Sequence, residues 1–234
     1  MYKNSQDEYL FRFEELVVIV FDFFDGKAFL ELNTSPTSQQ LEQVIIQAFM
    51  INKTDLRPVF YYDMWAVPNV AALFTKLRPL LDEDDIRLID KVIARFSKIN
   101  LDELPHCLVH GDLTKGNVML DKNGNISIID FSVTNWAPRI IELILIISNL
   151  MFDENDNRTL QQKVDIVAGI YQKYNTLSSD EIASLYDLSL LSSAMELLGS
   201  CWQQKVLGDN SDETLYWQNL GRIGLRRELP LFKE

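Results

Sequence analysis

Apolar and polar positions change period several times along the chain. Residues 9–24, "YLFRFEELVVIVFDFF", are apolar, β-branched and aromatic, interrupted by "FEE", a pattern of two strands closed at Gly26. From Thr34, "TSPTSQQLEQVIIQAFMINK" has a helix-start signal followed by a helical stripe of Leu41, Val44, Ile45, Ala48 and Phe49. A second helix is predicted over "VPNVAALFTKLRPLL", closed by Pro79. A third covers "DEDDIRLIDKVIARFSKI", with acids in its first turn to suit the helix dipole and an apolar face of Ile86, Ile89, Ile93 and Phe96. Three short strands follow, "CLV", "NVML" and "SIIDF", the last two joined through an Asn123-Gly124 hairpin turn. From Pro138, placed in a first helical turn, the pattern is helical over about 139–152, 157–175, 179–205 and 211–228. The expectation is an α+β chain: a β-rich start, a helical body and a small β insert.

Charge narrows the partners. The 234 residues carry a net charge of −12, which argues against a nucleic-acid partner and suits a cationic small substrate. Cys107 and Cys201 lack metal-ligand spacing and read as free thiols of a reducing cytoplasm. The start of the sequence lacks the basic and apolar regions of a signal peptide. The longest greasy run, "IIELILIISNLMF", is too short to span a membrane and contains Glu142, so a cytoplasmic protein is expected.

The polar residues that stand out lie in the β insert. "HGDLTKGNVML", residues 110–120, puts Asn117 five positions after Asp112, and "SIIDF" adds Asp130. Phosphoryl transfer from ATP requires a divalent cation at the phosphates and a group that orients the attacking hydroxyl. Mg2+ favours oxygen ligands, such as a carboxylate and an amide oxygen. Asn117 and Asp130 are such a pair, brought together across the hairpin. Asp112 is then the free carboxylate beside them, flanked by Gly111 and Gly116, with His110 behind the loop as a structural hydrogen-bonding residue.

"HGDLTKGNVML…IIDF" closely resembles the catalytic and metal-binding motifs of aminoglycoside phosphotransferases and choline-kinase-like enzymes, which share the protein-kinase fold. The resemblance implies that Asp112 is the catalytic, hydroxyl-orienting acid and that Asn117 and Asp130 hold Mg2+. It implies ATP as phosphoryl donor and a small-molecule hydroxyl as acceptor. "APRIIELILIISNL" is similar to the helix after the metal-binding Asp, with Glu142 where an acid is usual. "FDFFDGKAF" resembles the hinge that holds adenine, through Asp22, Phe23 and Phe24. Thr114 and Lys115 depart from the family's usual His and Pro; Lys115 is read either as a contact to the transferred phosphate or as a solvated loop residue. Trp136 is a candidate for the rim of the substrate cleft, and Glu181 and Glu196 for binding a cation.

Ahead of the hinge-like segment the sequence has no glycine, and Lys3 is its one lysine. A kinase-like N-lobe normally supplies a phosphate-covering loop and a strand lysine. The expected division is therefore a remnant N-lobe hairpin and hinge over 1–26 and a helical C-lobe over 27–234. Three origins remain open: a piece of a longer kinase, a shortened non-catalytic module that binds nucleotide weakly or acts through dimerisation, or a chain whose nucleotide pocket a second chain completes. A lone hairpin is marginal in water, and "LVVIVF" would present an apolar edge. The sequence thus predicts self-association, as a homodimer or larger, through residues 9–24. Sedimentation velocity checks it: a concentration-independent monomer contradicts the expectation.

Overall fold

In the computed structural model, which describes residues 1–228, the chain is α+β. Strands β1 (Phe11–Phe13) and β2 (Leu16–Val18) pair antiparallel, with Phe11 opposite Val18, around Glu14 at φ 53°. The strand expected over 16–21 ends at Val18, because nothing covers its faces: Phe13, Leu16 and Phe21 are each more than half exposed, and Phe23 is 90% exposed. Regular pairing resumes at β3 (Gly26–Ala28), which joins the central β insert instead of this hairpin.

After the short α1 (Phe29–Leu32), α2 (Ser38–Asn52) begins at a capping box in which Thr37 accepts from the Gln40 N–H and Gln40 accepts from the Thr37 N–H. Its stripe is buried as the period requires, at Leu41, Val44, Ile45 and Ala48. The second predicted helix is shorter than its pattern: Pro68 and Pro79 lie in 3-10 turns on either side of α3 (Val70–Leu77). In α4 (Glu83–Phe96) the fully buried positions are Ile89 and Val92, whereas Ile86, Ile93 and Phe96 are only partly covered. Not every acid in its first turn serves the dipole. Asp85 is buried and accepts both arms of Arg222, at 2.9 and 2.7 Å.

The β insert contains one more strand than the sequence suggested. β4 (His106–Val109) pairs with β7 (Asn135–Pro138), so Pro138 ends a strand and does not open a helix. Proline is tolerated there because β7 is an edge strand, paired only with β4. β5 (Val118–Asp121) pairs with β3 on one side and β6 (Ile126–Ile128) on the other. The turn between β5 and β6 is wider than a two-residue Asn-Gly hairpin: Asp121 accepts from the N–H groups of Asn123 and Asn125, and Gly124 takes φ +85°. α5 (Ile140–Leu145) runs into a π-helical segment, Ile146–Leu150, and then come α6 (Leu160–Tyr171), α7 (Ser179–Leu207) and α8 (Asp212–Glu228).

α7 is the buried spine of the helical body, packed by α3, α4, α5 and α8. Its contact with α8 depends on Gly221, where a Cβ would lie 2.5 Å from the Leu197 nitrogen and 2.6 Å from the Ser193 carbonyl oxygen. Backbone cannot swing aside as a side chain does. Gly221→Ala should therefore cost about 1–3 kcal/mol, read as a lower denaturant midpoint in chemical unfolding.

Candidate active site

β4 carries the chain into its interior and releases it at His110, which is fully buried. Two interactions hold the loop that follows. The buried Glu142 carboxyl group, on α5, accepts from the backbone N–H groups of His110 and Gly111. The His110 ring donates from Nε2 to the Ile129 carbonyl (2.9 Å), while its Nδ1 accepts the Asp112 N–H (3.2 Å). That pairing defines the tautomer, and burial lowers the pKa of the imidazole, so His110 is a neutral strut. Gly111 takes φ +85° and passes close to the Val133 carbonyl, a conformation that disfavours any side chain.

The loop delivers Asp112 and Asn117 together. Asn117 Nδ2 donates to Asp112 Oδ2 at 2.6 Å and to the Asp112 carbonyl at 3.1 Å, and the Thr114 hydroxyl also bonds the carboxylate. The Asn117 amide is thereby oriented with Oδ1 as its remaining acceptor. Burial raises the pKa of Asp112 against the lowering effect of these hydrogen bonds. Asp130 follows β6, where the Ile129 N–H donates to the Asn117 carbonyl at 3.0 Å and brings the two segments side by side. It is exposed, sits at φ 61°, and its pKa is lowered by hydrogen bonds from Ser132. An amide oxygen and an ionised carboxylate are hard oxygen donors of the kind Mg2+ takes, with water and phosphate completing its shell. The residues present fit that ion. Among the described residues no cluster of three or more His, Cys, Asp or Glu forms a closed metal cage.

A cleft of about 340 Å³ opens beside Asp112 and Asn117. It is lined as well by residues the sequence did not single out for a site, Asp63, Trp65, Asn149 and Trp217, together with Glu196, which it did. Trp65 lies flat on Gly199 of α7, where any Cβ would overlap the indole. A lone Asn in the greasy run "IISNLMF" was a signal that could have flagged Asn149, since a buried amide needs partners.

Several sequence expectations need correction. Lys115 neither faces the cleft nor is solvated: it is buried, and its Nζ donates to the Phe152 carbonyl at 2.7 Å. Asp22, Phe23 and Phe24 do not line the cleft; Asp22 accepts from the Tyr2 hydroxyl at 2.7 Å, and the Phe24 ring lies against Gly26. Their position follows from the uncovered hairpin, which leaves this segment at the surface. Glu181 is fully buried and paired with Arg139 at 2.6 Å, so it is unavailable to a ligand. Trp136 stacks under Arg57 on β7 and is not part of the cleft wall.

The profile of a phosphotransferase enzyme family, APH, matches residues 5–173. No curated protein matches the chain. Solved structures with the same fold include a spectinomycin phosphotransferase in complex with ADP and spectinomycin, 16% identical with a TM-score of 0.59, the match covering 95% of this chain and 74% of that one. A choline/ethanolamine kinase family protein from Mesorhizobium loti is 11% identical with a TM-score of 0.63, covering 97% and 71%. An amicoumacin kinase in complex with AMP-PNP, Ca2+ and Ami is 13% identical with a TM-score of 0.59, covering 96% and 70%. These likenesses establish a kinase-like fold.

The loop anchor has a pH signature. Burial pushes the Glu142 carboxyl up to about 8, although the His110 and Gly111 N–H groups oppose the rise. Between the ordinary carboxyl range and pH 8 the folded state thus holds a proton that the unfolded chain has released, so stability falls as pH rises through that window. Asp112 and Glu196 are shifted in the same direction and add to the slope, while the lowered pKa of His110 opposes it up to the ordinary imidazole range, one group against three. The melting temperature should drop from pH 5 to pH 8. Glu142→Gln, whose amide oxygen can still accept both N–H groups, should show a shallower drop in the same series.

Proposed function

The chain belongs to the phosphotransferase enzyme family, and from that premise we propose that it transfers a phosphoryl group from Mg2+-bound ATP to a hydroxyl of a small, amine-bearing molecule. The observation that carries this reading is the opposite treatment of two neighbouring acids. Asp112 is desolvated and driven towards a higher pKa, as suits a proton acceptor, whereas Asp130 is exposed and held ionised, as suits a metal ligand.

Asn117 and Asp130 would hold the cation, which when bound supplies charge neutralisation at the nucleotide phosphates. The chain's own residues account for the rest. Asn117 and Thr114 hold the Asp112 carboxylate in one orientation, and a carboxylate retains lone pairs enough to accept a further hydrogen bond from an acceptor hydroxyl. Asp112 then takes that proton as the hydroxyl oxygen bonds to the terminal phosphorus of ATP and the bond from that phosphorus to the departing ADP oxygen breaks, and its raised pKa improves it as a base. The rest of the lining supports an amine on the acceptor: Asp63 and Glu213 are acidic, the buried Glu196 carboxyl would be favoured in its charged form by an adjacent cation, and Trp65 and Trp217 supply aromatic faces that attract cations. Nucleotide as donor is supported by the ADP and AMP-PNP complexes of chains with this fold.

The first test is thermal unfolding with and without Mg2+-ATP. Nucleotide at a hundredfold over its dissociation constant should add about 2.7 kcal/mol of stability. Asp130→Asn should lose the gain, and Asp112→Asn should keep it while abolishing transfer to any acceptor in a panel of choline, ethanolamine and spectinomycin. No stabilisation of the folded wild-type chain by Mg2+-ATP would count against an ATP-dependent reaction and favour a module acting through binding alone.

A further inference from the structure

One buried side chain is bonded to two of the segments that line the cleft. Asn149 is fully buried in the π-helical segment that follows α5. Its Oδ1 accepts the backbone N–H of Lys115 at 2.9 Å, inside the loop that bears Asp112 and Asn117. Its Nδ2 donates to Oε1 of Glu196 on α7 at 2.5 Å. Neither partner tolerates the reversed amide, because an N–H can only donate and a carboxylate oxygen can only accept. The position of Asn149 depends on the wide turn in which the Met151 N–H reaches back to Ile146. Such turns interrupt α-helices frequently at functional sites. Oε1 is taken by Asn149, Glu196 Oε2 has no hydrogen-bond partner among the described residues, and Glu196 lines the cleft.

We infer that Asn149 is a positioning residue that couples Glu196, on the acceptor side of the cleft, to the loop holding Asp112 and Asn117. The inference rests on the reading of this cleft as a phosphotransferase site. A primary amide bonded at both ends transmits polarisation: charge on Glu196 strengthens the Nδ2–H bond, makes Oδ1 a better acceptor, and tightens the hold on the Lys115 N–H. A cationic acceptor group that engages Glu196 thereby draws on the same bond chain that sets the register of the loop. The Glu196 carboxyl, raised by burial to about 7 despite the Asn149 bond, changes charge in a range convenient for observation. The groups around it are Asp112 from the loop and Tyr216 from α8, which it influences electrostatically, and Asp63 and Glu213, which also line the cleft.

Two-dimensional NMR of the full chain tests the coupling without needing an acceptor. The Lys115 amide resonance should titrate with the same midpoint as the Glu196 carboxyl carbon, and Glu196→Gln, which still accepts from Asn149, should abolish that titration. Asn149→Asp keeps the acceptor for the Lys115 N–H but places oxygen against Glu196 Oε1. It should raise the midpoint of the facing carboxyl pair by at least one pH unit. Asn149→Ala serves as a second variant in which the Lys115 amide should lose hydrogen-exchange protection. A Lys115 amide that stays flat while Glu196 titrates, or an unchanged Glu196 midpoint in Asn149→Asp, overturns the inference. Stabilisation by Mg2+-ATP measured on the same samples separates the two ideas: absent stabilisation removes the phosphotransferase reading, whereas stabilisation with a flat Lys115 amide removes only the coupling.

Discussion

The buried carboxyl group of Glu142 is the constraint on which the site depends. It accepts two consecutive backbone N–H groups, those of His110 and Gly111, just where the chain leaves β4 and must turn back on itself. Each of those groups would otherwise be buried without a partner, at about 1–3 kcal/mol apiece. The acid bears a cost of its own, for its second oxygen is buried with no partner among the described residues. Burial in such a place is tolerated when it secures something else. Here it secures a left-handed Gly111 and, one residue later, the direction of Asp112.

From that anchor the site divides into a rigid half and an open half. Asp112 and Asn117 are bonded to each other, to Thr114 and, through the loop backbone, to His110 and Asn149. Among the described residues Asp130 bonds only within its local turn with Ser132 and lies at the surface, in a left-handed conformation that Asp adopts more readily than most residues. The rigid half suits a group that must meet a hydroxyl in one orientation. The open half suits a ligand that forms its last bonds only when a hydrated ion and its phosphates arrive.

Beyond the loop, the cleft is lined by the long helix α7, by α8 and by the segment that carries Asp63 and Trp65. Gly221 of α8 and Gly199 of α7 remove side chains at two points of close approach, one admitting the backbone of α7 and the other the indole of Trp65. Small residues therefore set the cleft's shape, while Trp65, Trp217 and the acids set its chemistry. The N-terminal hairpin contributes nothing to this lining and instead displays Phe13, Leu16 and Phe23 to solvent.

Much of the site was legible in the sequence because its chemistry is local. His110, Asp112 and Asn117 lie within eight residues, and a hairpin with period-two pairing necessarily returns the chain from Asn117 to the neighbourhood of Asp130. The helical stripe of α2 and its cap were equally plain, since both depend on neighbours one turn away. Other features are decided by distant residues. "NWAP" has no strand signature of its own and becomes β7 only because β4 offers its edge. Lys115 and Glu181 resemble ordinary surface charges until Phe152 and Arg139 are brought to them. Sequence by itself determined which acids and amide stand together, because they and their loop are neighbours along the chain. Tertiary structure alone decided which charges reach the cleft, because burial and partnership are settled by residues tens of positions apart.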